Sequence, residues 1–170
     1  MPAATPRRQT LRRALTNAGA PTNGTSEVQT LTQTGSPTGG TFRLSFKGRR
    51  TSAIAYNASA ATIVAALEAL YVVGAGGVTA TGGPLNTDPV VVTFAGSLAK
   101  KAVPLLVLAQ NSLTGGTSPT VGIAETTPGV DATHRGAAKG AKLVDTTNGV
   151  DYINTGTATS PTWTKTGTQS

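Results

Sequence analysis

The chain has 170 residues, a net charge of +7, no cysteine and one histidine, and this composition narrows the chemistry available to it. Catalysis needs titratable side chains that converge and hold shifted pKa values, whereas the seven carboxylates here are scattered singly. The absence of cysteine excludes disulfides and thiolate metal sites. Thr, Gly, Ala and Val dominate instead. We therefore expect a structural or binding protein, not an enzyme, with no cofactor and no metal.

The positive charge is concentrated at the N-terminus, where residues 1–25 contain four arginines and no acidic residue. Leu11 and Leu15 stand four residues apart and could form an apolar stripe on a short helix, which alone in water is marginal. We expect this basic arm to become ordered only against a partner. Arginine binds both phosphate and carboxylate, so nucleic acid, a protein surface and plain disorder all stay open. A protein surface is favoured because the arm has no aromatic residue to stack on a base.

Alternating polarity after the arm predicts a mainly β module over residues 26–129. The clearest strand has Phe42, Leu44 and Phe46 alternating with polar residues. A helix is predicted over 60–71, capped by Asn57 or Ser59. We predict strands over 27–33, 42–47, 51–56, 78–81, 90–94, 103–108 and 120–125. The order predicts an α+β, mainly β fold, in which one helix packs across an antiparallel sheet.

The last part of the chain predicts a small C-terminal β unit over residues 142–170, joined to the module by a linker over 130–141. Three short strands are predicted there, with a hairpin turn at Asn148-Gly149 between the first two. Tyr152 and Trp163 are too large for so small an element to bury, so we expect the unit to pack on a neighbour or on copies of itself. His134 has no other His or Cys near it in sequence, and we expect it to be a solvated linker residue.

The turn at residues 47–50, Lys-Gly-Arg-Arg, admits two interpretations. It could contact an acidic partner, or it could be a solvated hairpin tip, which is the commoner outcome for such a turn. No run approaches the roughly 20 apolar residues of a membrane span, so no membrane association is expected.

Several segments of the module resemble a Thr/Gly-rich module of tailed phages of actinobacteria. They are 27–47 (EVQTLTQTGSPTGGTFRLSFK), 52–70 (SAIAYNASAATIVAALEAL), 78–84 (VTATGGP), 91–100 (VVTFAGSLAK) and 113–119 (LTGGTSP). The C-terminal unit resembles the small β element of phage head-fibre and head-decoration proteins, which is often trimeric. The matching residues are Asp145, Thr146, Gly149, Tyr152, Asn154, Thr155, Gly156 and Trp163.

The resemblance implies a capsid decoration protein on the outer surface of a virion, with the major capsid protein as its partner. The implied capsid-binding residues lie in the arm: Arg7, Arg8, Leu11, Arg12, Arg13 and Leu15. Tyr152 and Trp163 would form the interface of a homotrimer. Two alternatives stay open: a phage tail or surface-adhesion module that binds a host glycan or protein, and a nucleic-acid-binding protein that uses the arm.

Overall fold

The computed structural model describes residues 15–17 and 19–168, which form twelve strands and one α-helix. The helix α1 is Ala60–Glu68, and a single 3-10 turn is Gly96–Leu98. The strands of the first half are β1 Leu15–Asn17, β2 Val28–Thr34, β3 Gly39–Phe46, β4 Arg49–Arg50, β5 Ile54–Ala55 and β6 Val78–Gly82. Those of the second half are β7 Val90–Phe94, β8 Val107–Thr114, β9 Thr120–Thr127, β10 Lys142–Asp145, β11 Val150–Asn154 and β12 Trp163–Thr168.

The strands form three sheets, two of them in the module. One has the order β6-β7-β2-β9, and in the other β3 pairs with β4 and β5 on one side and with β8 on the other. The third sheet is C-terminal, with the order β1-β10-β11-β12. Every pair is antiparallel except β1 with β10, which is parallel. The predicted mainly β, antiparallel fold with one helix is confirmed.

The two module sheets and α1 share one hydrophobic core. The predicted alternation of β3 holds, since Phe42, Leu44 and Phe46 are all fully buried. The ring of Phe46 lies 5.3 Å from that of Phe94, a contact that links the two sheets. Ser59 is the N-cap of α1, where its side chain accepts a hydrogen bond from the backbone of Thr62 at 3.2 Å. The helix ends three residues earlier than predicted.

Two of the repeated Thr-Gly-Gly segments of the sequence meet in space. The turn that joins β2 to β3 and the turn that joins β8 to β9 are hydrogen bonded to each other, through Thr117 N to Gly35 O and Thr38 N to Thr114 O, each 2.9 Å. Gly116 has a φ of +63°, and a Cβ there would collide with the carbonyl oxygen of Gly35. The close approach of the two turns therefore requires glycine.

The strand predicted over 103–108 begins later, at Val107. Residues 103–106 have no regular secondary structure. Two of their backbone N–H groups donate instead to side chains at the start of β2. Glu27 accepts from Val103 N at 2.8 Å, and Gln29 accepts from Leu106 N at 2.8 Å. Both side chains are buried, and Gln29 also donates to Glu27 at 2.5 Å. A buried polar pair of this kind holds a nonrepetitive segment in one conformation.

Candidate binding surface at the C-terminal sheet

The end of the predicted arm is part of the C-terminal sheet. Leu15 was expected on a short helix but lies in β1, opposite Leu143 of β10. Leu143 is in turn opposite Tyr152 of β11. Leu15 and Tyr152, both half-buried, therefore lie in one row across the sheet with the buried Leu143 between them. The predicted helix is therefore wrong at Leu15, because the backbone of this residue pairs with the parallel strand β10.

The other proposed capsid-binding residues lie outside the described part of the chain. These are Arg7, Arg8, Leu11, Arg12 and Arg13. The structure does fix where residues 1–14 join the fold, since β1 is an edge strand of the C-terminal sheet.

Trp163 is 5% exposed within a single chain. Its indole Nε1 donates to Thr133 O at 2.8 Å, and its backbone N–H donates to Asn23 Oδ1 at 2.6 Å. Residues from two further segments, Asn23 and Thr133, thus contact Trp163 in addition to the three predicted strands. Burial of this ring therefore does not need a second copy of the chain, and the predicted trimer interface is left with Tyr152 as its accessible aromatic.

Residues 130–141, predicted to be a linker, pack over the C-terminal sheet. Asn154, buried in β11, donates to Ala137 O at 2.7 Å. His134, expected to be solvated, packs edge-on to Trp163 with 6.4 Å between the ring centroids. Its Nε2 atom is buried and has no hydrogen-bond partner. The histidine is therefore half-buried against the indole and not fully solvated as predicted.

Asp145 organises the hairpin turn between β10 and β11. Its carboxylate is buried and accepts from the backbone of Thr147 at 2.9 Å and from the side chain of Asn148 at 2.8 Å. The Asn148 side chain is the largest cause that lowers the pKa of Asp145 below its usual value, and backbone N–H groups, including that of Gly19, add to it against the opposing effect of burial. Asp145 therefore joins the turn to the segment that follows β1.

A set of hydrogen bonds joins the C-terminal sheet to the module. The guanidinium of Arg135 donates to the carbonyls of Ser97 at 2.8 Å and Lys100 at 3.0 Å, and also to that of Ala99. In the opposite direction, Lys100 Nζ donates to Thr162 Oγ1 at 2.8 Å. These bonds join loops of the module and of the C-terminal part of the chain. We call this region, formed by residues 97–100, Arg135 and Thr162, the joint. It fixes the sheet against the end of the module where β2 begins.

Within residues 15–17 and 19–168, no group of three His, Asp or Glu residues is placed to hold a metal ion. The described helices include none with the length and apolar content of a membrane span.

No family model and no curated protein sequence matches the chain. Four solved chains match it in structure. One comes from Mycobacterium phage Patience and is 17% identical over 81% of this chain and 44% of that one, with a TM-score of 0.45. The chain thus spans less than half of the length of that phage protein.

Proposed function

We propose that the chain is a structural, noncatalytic virion protein that binds the outer surface of a tailed-phage capsid through its arginine-rich arm. The observation that carries the proposal is that an arginine-rich segment directly precedes β1, an edge strand of the C-terminal sheet. Four arginines without a neighbouring acid lie at residues 7–13, and β1 ties the following residues to the edge of a sheet. Arginine side chains bind carboxylates with two parallel hydrogen bonds, which suits an acidic groove on the major capsid protein.

The position of β1 favours one orientation of the bound protein. Because the arm leaves from the C-terminal sheet, that sheet lies beside the capsid and the module stands farther out. The joint supports the orientation, since Arg135 and Lys100 hold the module against the sheet.

The mechanism we propose is thermodynamic linkage. A protein that binds the assembled capsid and not its dissociated subunits stabilises the assembled state by mass action. A homotrimer is part of this proposal, with contacts made through Tyr152 and the exposed edge of β12. The buried Trp163 supports that edge from inside the chain.

Binding to capsids that lack the protein tests the arm directly. We expect cosedimentation at low salt to weaken by about tenfold or more when the arm arginines are changed to Ala, since four charge-assisted contacts are lost. Binding of the unchanged protein should fall as salt screens those contacts. The variant is Arg7→Ala, Arg8→Ala, Arg12→Ala and Arg13→Ala.

A matched control removes the same charge from the rest of the surface and should bind as the unchanged protein does. It is Lys47→Asn, Arg49→Ala, Arg50→Ala and Lys101→Ala, all on the module, which stands farther from the capsid in this orientation. Full occupancy by the arginine variant, or equal loss in both variants, would contradict a specific role for the arm.

A further inference from the structure

The β3–β4 turn carries three exposed cations on a tight hairpin. They are Lys47, Arg49 and Arg50, which we call the cationic tip. Lys47 and Gly48 both have positive φ, +47° and +76°, as a two-residue type I′ turn requires. Such a short turn holds the cations at fixed positions relative to the sheet. No ion pair joins any of the three to another residue of the described chain.

Arg49 is stacked on an exposed aromatic ring. Its Cζ atom lies 5.0 Å from the centroid of the Tyr71 ring, and Tyr71 is 74% exposed. A cation–π contact attracts the guanidinium without a hydrogen-bond acceptor, so its N–H groups can still donate to a carboxylate. The stacking also restricts the arginine side chain before any partner binds, which lowers the entropy cost of binding.

Arg50 lies on the other face of the hairpin, in a row with an exposed valine from which it is separated by one strand. It is the register partner of Ser45 on β3, and Ser45 is also opposite Val107 on β8. Register partners share a face of the sheet, so Arg50 and Val107 lie in one outward row, and Val107 is 58% exposed. Leu105, two residues earlier, is exposed as well.

Three of the four large hydrophobic side chains exposed among the described residues therefore lie at this end of the module: Tyr71, Leu105 and Val107. Exposed aromatic and apolar groups beside arginine are the composition of protein interfaces. We propose that the hairpin end, with Arg49 and Tyr71 on one face and Arg50 and Val107 on the other, docks into a groove of a protein partner whose two walls present carboxylates beside apolar side chains.

Two other occupants fit this surface less well. A second copy related by twofold symmetry would place cation against cation, since such an interface joins the same patch on both copies. Nucleic acid binding needs cations spaced along a phosphate backbone, whereas Arg49 and Arg50 point to opposite faces of one hairpin. The proposal concerns a surface separate from the arm and does not depend on the capsid assignment.

The test follows backbone amide NMR signals of the labelled full chain during titration with an acidic peptide of alternating glutamate pairs and single leucines. We expect shifts centred on residues 46–51, Tyr71 and Val107 that decrease with added salt. The same peptide with glutamine in place of glutamate should not cause them. Because the readout is resolved by residue, peptide bound at the arm is distinguished from peptide bound at the cationic tip.

The double variant Arg49→Gln, Arg50→Gln should weaken the affinity measured at the tip by about tenfold. The control Lys139→Gln, Lys142→Gln removes equal charge from exposed lysines elsewhere and should leave that affinity unchanged. Tyr71→Ala should weaken it and Tyr71→Phe should not, since phenylalanine keeps the ring under Arg49. Unchanged core signals in each variant show that the fold is intact.

Three results would overturn the proposal. One is the absence of shifts at the tip; another is equal weakening by the lysine control. The third is stronger binding of oligothymidylate than of the acidic peptide at the same residues, which would assign the surface to nucleic acid.

Discussion

At the scale of single residues, the C-terminal sheet depends on buried polar groups whose partners are distant in sequence. Asp145 is an example. The Asn148-Gly149 pair predicts the hairpin turn, and the carboxylate of Asp145 accepts hydrogen bonds within that turn. The sequence does not indicate that the same carboxylate also receives the backbone N–H of Gly19. A contact between residues 126 positions apart has no local pattern, whereas a turn has one.

Asp145 gives this sheet a defined dependence on pH. Its folded-state pKa lies below the unfolded value of about 3.8, so the ionised carboxylate is favoured by folding. The stabilisation is fully present above that pH and is lost as the pH falls from there through the folded pKa. The fluorescence of Trp163, the only tryptophan, reports unfolding around this sheet.

We therefore expect Asp145→Asn to lower the unfolding temperature seen by Trp163 fluorescence at pH 7. The difference between variant and unchanged protein should shrink as the pH falls below about 4, because the unchanged carboxyl becomes protonated. Asp88→Asn, a change at an exposed turn, serves as the control. A difference that stays constant down to pH 2 would contradict the assigned role of the charge.

At the scale of elements, regular alternation and capping were sufficient to predict much of the module. The strand around Phe42 was predicted from its alternation, the strand at Val90 from its β-branched run between Pro89 and Gly96, and the start of α1 from a capping residue. The second half of β8 was missed because its residues 110–112 are Gln, Asn and Ser, which show no apolar alternation. Backbone pairing with β3 holds this part of β8 in the sheet, so its side chains need not show the alternating polarity from which a strand is predicted.

The first strand was missed for a related reason. Three residues are too few to show a period, and β1 exists because β10 offers a free edge. Likewise, the size of Trp163 correctly indicated that three strands cannot cover it, but the cover comes from residues 130–141 of the same chain. Whether the chain also forms a trimer stays a prediction.

Two truncations distinguish the contribution of β1 from that of the preceding residues 1–14. Removing residues 2–20 deletes β1 and the Gly19 contact, and should destabilise the C-terminal sheet by about 2 kcal/mol, the net value of a few backbone hydrogen bonds. Removing residues 2–14 leaves both in place and should not change its stability. Chemical unfolding followed by Trp163 fluorescence measures both variants, and equal stability of the two would argue against β1.

At the scale of the whole molecule, the joint connects parts that the sequence presents as separate. Glycine, alanine and proline around residues 130–141 are typical of a linker, yet Arg135 in this segment donates to carbonyls of residues 97–100. A single long side chain that reaches three carbonyls cannot be recognised from composition. The position of the sheet relative to the module, and so of the strand β1 that follows the arm, was accessible only from the structure.

The central claim is that the arm attaches the C-terminal sheet to the outside of a capsid. An electron cryomicroscopy map of the particle that carries the protein tests it most directly. We expect many copies on the head, with density that continues from the β1 edge of the C-terminal sheet into the capsid and with the module outermost. Copies confined to the tail, or a module that faces the capsid with the C-terminal sheet outermost, would contradict it.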